Sequence, residues 1–267
     1  PDDPCPPPPI AEDVDQYNLI PSSPPPYRGV HLFVLVHGFQ GNQYDLRLIQ
    51  NTILWFYPNA VCYLSCKNED KTEGDIGDMG LTLANEVTNY IHEHCPGCQL
   101  GRLSFVCFSL GGVIARSALG HLDTGLSHKF YLFLSCGSPH LGFAYSGSRL
   151  VNAGMWAIQQ MRGSQSMTQL NMKDAEDPRD CFLAQLATKS MLHDFEYVVL
   201  IASHQDQYAP FRSARVEVSP TVVDDGPMGE LQLEMAQKLL HGIPHQKFFR
   251  FDAHFELDES SLDHMIG

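Results

Sequence analysis

From His31 onward the chain alternates between short apolar runs and stretches in which apolar positions recur at helical spacing. HLFVLV (31–36), AVCYLS (60–65), RLSFVC (102–107), FYLFLSC (130–136), YVVLIA (197–202) and KFFRF (247–251) are the runs. Near-continuous apolar character over so few residues is the pattern of strands buried on both faces. Amphipathic patterns at roughly 43–56, 79–94, 110–120, 148–161, 181–190 and 228–240 separate them. Strands alternating with helices predict an α/β fold with a mainly parallel sheet covered on both faces.

Two segments depart from this alternation. The interval Ser138 to Glu196 is too long for a simple crossover, and within it Leu150, Val151, Gly154, Met155 and Ile158 share one helix face. A helical insertion above the strand ends serves either as a lid over a pocket or as ordinary packing, and periodicity leaves both open. Residues 1–27, with PCPPPPI and PSSPPPY, resist helix and strand and favour extended polyproline conformations. They read as a linker or arm, compatible with contact to a proline-recognising module, ahead of one domain over 28–267.

Composition narrows the partners. At 267 residues and 43% hydrophobic content the chain can bury roughly three quarters of its unfolded surface without staples. No run of eighteen apolar residues is present, so no transmembrane segment is expected. A net charge of -14 with no basic cluster argues against nucleic acid. Several of the eight cysteines fall inside apolar strand patterns, and no Asn-x-Ser/Thr acceptor occurs, which points to a reducing, cytoplasmic setting. The sequence starts at Pro1, which leaves any upstream targeting segment unread.

Functional groups in an open parallel sheet collect where strands end. After the first strand comes HGFQG (37–41), whose glycines let backbone N–H groups turn toward a carbonyl oxygen. After the third comes CFSLGG, in which Ser109 stands between a strand and a helix with Gly111 two positions on, as a nucleophile elbow requires. Cys107 occupies the position where glycine is usual. The amides of Phe39 and Leu110 are then the expected oxyanion donors, the second helped by the helix dipole. After the fifth strand comes IASHQDQYAP, with Asp206 following the serine in the chain order of a Ser-Asp-His triad. Each motif alone suits an ordinary turn; their joint arrival in this order favours chemistry.

Other motifs carry less. HCPGCQ, with Cys95 and Cys98, reads as a turn ending a helix rather than a zinc or redox pair. GDIGDMG (74–80) lacks the Lys-Ser/Thr of a phosphate loop and reads as a surface loop with Asp78 capping a helix. His241 and His245 are kept out of one helix by Gly242 and Pro244. No metal and no cofactor are expected.

YRGVHLFVLVHGFQGNQYDLRLIQN, LSFVCFSLGGVIARSAL, LSCGSPHLG and SHQDQYAPFRSARVEV together resemble a eukaryotic serine esterase family with a lipase-like α/β-hydrolase domain, and within it the branch called "family with sequence similarity 135". The resemblance covers almost everything after about Tyr17. It implies an α/β-hydrolase fold, cleavage of carboxylic esters through an acyl-enzyme on Ser109, Asp206 as the acid, and an ester or lipid-like substrate. Two departures stand out. The family elbow is usually Gly-His-Ser-Leu-Gly, where this chain has Cys107 and Phe108. The family histidine lies in an Ala-His pair after an Ile-Gly step, and the sequence stops at SSLDHMIG, so the resemblance implies a base beyond Gly267 and a domain truncated at its C-terminus. His254, after the last strand, and then His264 are the substitutes within view, while His140 in SPHLG suits a structural place in a tight turn. The rival expectation, prompted by the same departures, is a catalytically inactive scaffold that binds a lipid or protein partner.

Overall fold

The computed structural model describes residues 28–95, 99–143, 163–217 and 226–256. Among these, six strands form one parallel sheet: β1 (Val30–Val36), β2 (Val61–Leu64), β3 (Leu100–Phe108), β4 (Phe130–Cys136), β5 (Tyr197–Ala202) and β6 (Phe248–Asp252). Their spatial order is β2-β1-β3-β4-β5-β6. Parallel neighbours cannot be joined by a hairpin, so each connection crosses the sheet, and the amphipathic stretches supply the helices that do so. These are α1 (Arg47–Phe56), α2 (Ile76–His94), α3 (Leu110–Leu119), α4 (Gln165–Leu170), α5 (Phe182–Thr188), α6 (Phe211–Arg215) and α7 (Pro227–Leu240).

The larger core lies on one face, where Leu32, Val34, Leu103, Phe105, Phe133, Val198 and Leu200 meet α2, α3, α4, α5 and α7. On the other face Phe33, Leu35 and Val106 pack with Ile49 and Ile53 of α1. Successive strand residues alternate between the two cores, which is why the runs are apolar throughout rather than every second residue.

The structure corrects two local expectations. α2 starts at Ile76, and its cap is Asp75, whose side chain accepts the Asp78 N–H at 3.0 Å; Asp78 itself lies inside the first turn. Both aspartates suit a helix start by charge, but only Asp75 has extended backbone there, the geometry a cap needs. Two short helices, α4 and α6, were not expected, because neither spans two turns and so neither leaves a readable period. The expected helix at 148–161, the proline-rich arm, Cys98 and His264 lie outside the described residues.

One buried histidine makes the fold pH-sensitive. His31 shares a 2.7 Å hydrogen bond with Ser104 Oγ and stacks on Phe33, with Tyr131 edge-on. Burial, then the nearby Arg102 charge, lowers its pKa from 6.5 to about 4. The fold thus holds the neutral ring, while the unfolded chain takes up a proton near 6.5. The stability it contributes is complete above pH 6.5 and is lost as pH falls through about 4. In urea titrations, His31→Leu is expected to show a shallower loss of stability across this window than the wild type; parallel curves would refute the assignment.

Candidate active site

β3 ends at Phe108 and α3 begins at Leu110, so Ser109 alone makes the change of direction. Its φ of 51° and ψ of -126° are a backbone state that side chains rarely adopt, at a cost of about 1–3 kcal/mol. Close packing on three sides imposes it. The Ser109 N–H donates to the Cys136 carbonyl at 2.8 Å, tying the elbow to the end of β4. A Cβ on Gly38 would stand 2.9 Å from Ser109 Cβ, so the loop after β1 lies directly against the serine. A Cβ on Gly111 would come within 2.4 Å of the Val36 carbonyl oxygen and 2.6 Å of that of His37.

Those last contacts give a test. Backbone oxygens in a buried strand cannot swing aside, so Gly111→Ala is expected to destabilise the fold by about 3 kcal/mol in urea unfolding. Gly120→Ala, at the end of the same helix with its nearest neighbour 3.8 Å away, is the control and should be neutral or slightly stabilising. Equal effects for the two would contradict the close approach at the elbow.

Cys107 is accommodated where glycine is usual. It faces the larger core, in register with Val36 on one side and Ser135 on the other, and is 1% exposed. Burial pushes its thiol pKa well above 9.0, so the side chain fills space as an uncharged group. Phe108 is half-exposed.

Phe39 and Leu110 line the same pocket as Ser109, a cleft of about 250 Å³ that includes space open to solvent. The Gly41 N–H closes a turn onto the Gly38 carbonyl at 3.1 Å, with Phe39 and Gln40 inside it and Gln40 at φ 52°. Gln40 anchors this turn from both ends, its N–H on Thr72 Oγ1 at 2.9 Å and its side-chain amide on Glu73 at 2.8 Å. The remaining walls come from Pro139 and Phe143 after β4, Met167 and Leu170 of α4, and Tyr208 and Ala209 after β5. Apart from the serine and the tyrosine hydroxyl, these side chains are apolar.

Asp206 lies in the loop after β5 and is half-buried. Its Oδ1 accepts the N–H groups of Tyr208 and Ala209 at 2.8 and 3.0 Å. A Cβ on Gly137 would stand 2.9 Å from Oδ2, so that oxygen lies over the residue following Cys136, whose carbonyl holds the Ser109 N–H. The carboxylate, after β5, and the elbow, after β3, therefore flank the end of β4 that lies between them, meeting its consecutive residues Gly137 and Cys136. Two backbone donors on one oxygen fix the plane of the carboxylate while leaving the other for a further donor. Among the described residues no histidine is hydrogen-bonded or ion-paired to Asp206.

The histidines within view have other surroundings. His254 is exposed beyond β6. His140 is fully buried, its Nε2 2.9 Å from Ser135 Oγ and its carbonyl accepting from Arg116, as expected for a structural residue. Burial first, then the Arg116 charge, holds its pKa well below 6.5. Cys95 is buried, and among the described residues no cluster of His, Cys, Asp or Glu could hold a metal ion. No helix among the described residues is long and apolar enough to cross a membrane.

The 138–196 interval, read as a lid over a pocket or as packing, supplies Pro139, Phe143, Met167 and Leu170 to the cleft, but sequence reasoning named none of these residues as its walls. Met167 and Leu170 come from a six-residue helix too short to leave a readable period, so nothing in the sequence singled them out. Tyr208 and Ala209 stand within three residues of Asp206 and could have been drawn from the acid loop itself.

A parallel sheet with a strained serine at the turn after β3 and a carboxylate after β5 defines an α/β-hydrolase fold. Residues 27–219 match the family model described as "Putative serine esterase (DUF676)", and the chain belongs to that family. Among curated proteins it is similar to the "Putative lipase YDL109C" of Saccharomyces cerevisiae, with 29% identity over 136 residues. That match covers 47% of this chain and 20% of the relative's length. Among solved structures it is similar to the mature form of the Bacillus licheniformis lipase BlEst2, with 18% identity, 86% of each chain covered and a TM-score of 0.43. The product of lin2722 from Listeria innocua gives 11% identity over 84% of this chain and 99% of that one, with a TM-score of 0.48. Neither likeness transfers a substrate or a residue role.

Proposed function

We propose that the protein is a serine esterase that cleaves carboxylic esters bearing an apolar group. The observation that carries the reading is the strained Ser109, with Phe39 and Leu110 in its pocket and Asp206 across the end of β4, against the residue after the one that holds the Ser109 N–H. Ser109 Oγ attacks the ester carbonyl as an imidazole takes its proton, and the oxyanion is met by the Phe39 and Leu110 amides. The imidazolium then gives that proton to the departing alkoxide, which leaves the acyl group on Ser109. Water, deprotonated by the same imidazole, attacks the acyl-enzyme; the intermediate collapses to the free acid and Ser109 Oγ, which takes the proton back from the imidazolium. Asp206 orients the imidazole and stabilises its charge, presenting Oδ2 to the ring N–H. We place this imidazole on the chain that follows β6, beyond the described residues. The apolar walls from α4 and the 139–143 loop favour a hydrocarbon acyl or alcohol part over a charged one.

Burial of Cys107 weakens one of the three motives for an inactive scaffold, since the thiol substitutes for glycine without blocking the turn. Phe108 is the second, and it leaves the serine half-exposed; the third, the absence of a histidine partner for Asp206 among the described residues, stands. Turnover of p-nitrophenyl esters of increasing acyl length by the full-length protein separates the readings. An esterase gives Ser109-dependent hydrolysis that improves from acetate to longer chains; binding of the longer esters without turnover favours the scaffold.

A further inference from the structure

The loop that carries Asp206 is joined to the chain leaving β6 by one side chain. β5 and β6 pair in register up to Ala202 and Asp252, and the Ala253 N–H adds one more bond to the Ala202 carbonyl at 2.8 Å. There the backbone ladder ends, because the acid loop turns away: the Asp206 N–H closes onto the Ser203 carbonyl at 3.2 Å. Gln205 then takes over. Its Oε1 accepts the Phe255 N–H at 2.7 Å, and its Nε2 donates to the Phe255 carbonyl at 2.8 Å. A side-chain amide offers the same donor and acceptor as a peptide unit, so this pair replaces the next rung of the sheet.

We propose that Gln205 is a positioning residue for the Asp206 site. The inference rests on the esterase reading above. Gln205 is anchored on one side by its own N–H on Ser203 Oγ at 3.1 Å, while its neighbour Asp206 is held through Oδ1 by Tyr208 and Ala209. On the other side it fixes both polar atoms of the Phe255 backbone, one residue before the described chain ends. The chain that brings the imidazole therefore departs from a point locked to the carboxylate it must reach. Without the amide, the ring samples positions in which its N–H misses Oδ2, and displacements near 1 Å are enough to slow a positioned proton transfer about 100-fold.

Gln205→Met keeps the length of the side chain and removes both bonds. In the full-length protein it is expected to lower kcat for a p-nitrophenyl ester by about 10- to 100-fold, with KM unchanged and Tm within about 4 °C of wild type. The acidic limb of the kcat/KM profile should also move to lower pH. A carboxylate beside an imidazolium raises its pKa, so loosening the pair lets that pKa fall toward the ordinary 6.5 or so. A side chain that only steadies a surface loop would change Tm and leave that limb in place. Unchanged kcat and an unmoved limb in Gln205→Met, alongside an active wild type, overturn the role of Gln205 alone. A wild type whose Ser109 is never acylated overturns the esterase reading and this role with it.

Discussion

Ser109→Ala is expected to reduce turnover of an ester by the full-length protein about a million-fold, leaving a residual rate about a thousand- to ten-thousand-fold above the uncatalysed one. The magnitude follows from what the residue does. In the proposed mechanism the serine oxygen alone forms the bond to the acyl group, the amides and the imidazole acting on it or on the carbonyl, so without that oxygen no covalent intermediate forms. That residual rate is expected from the proposed Phe39 and Leu110 amide donors, which would still polarise a bound ester toward attack by water. The fold should survive, because the elbow is held by the Ser109 backbone N–H on Cys136 and by the close approaches of Gly38 and Gly111, none of which uses the hydroxyl. An alanine in the same strained backbone costs no more than the serine did. The check is turnover of a p-nitrophenyl ester together with the urea midpoint. Loss of activity with an unchanged midpoint is the expected pair, and retained turnover removes Ser109 from the mechanism.

Asp206→Asn is expected to lower kcat by about ten-thousand-fold while barely moving KM. Oδ1 has a structural task, accepting from Tyr208 and Ala209, which an amide oxygen can continue. In the proposed mechanism Oδ2 accepts from the imidazole, and an amide NH2 in its place turns an acceptor into a donor. The imidazole opposite is then held in the wrong tautomer, with its lone pair turned away from the serine, and the imidazolium formed during attack has no anion beside it. Because the loop geometry is preserved, Asp206→Ala should be less stable than Asp206→Asn although both are slow. If Asp206→Asn turns over at more than about a tenth of the wild-type rate, another carboxylate serves the base.

The sheet was readable in the sequence because burial on both faces keeps most strand positions apolar, with the few polar ones, such as His31 and Ser104, paired with each other. Val30–Val36 and Tyr197–Ala202 fall within a residue of the runs that predict them. The elbow was legible for a related reason: Gly111 and Gly112 follow a serine directly after an apolar run, and only a sharp strand-to-helix turn needs small residues there. The walls of the cleft were not legible. Met167 reaches the serine from more than fifty residues along the chain, through a six-residue helix too short to show a period. Gln205 carried no signal at all, since its bonds are to the backbone of Phe255, and backbone groups are the same at every position. Asp75 was overlooked in favour of Asp78 because cap residues are recognised by backbone angle, which charge and spacing only approximate.

The claim on which the account rests is that Ser109 Oγ is a nucleophile. Intact-mass measurement after incubation of the full-length protein with a fluorophosphonate, followed by peptide mapping, tests it most directly. A single adduct per chain is expected, on the peptide containing Ser109, absent from Ser109→Ala and retained in Cys107→Ser. An unmodified chain, or an adduct that persists in Ser109→Ala, would contradict it.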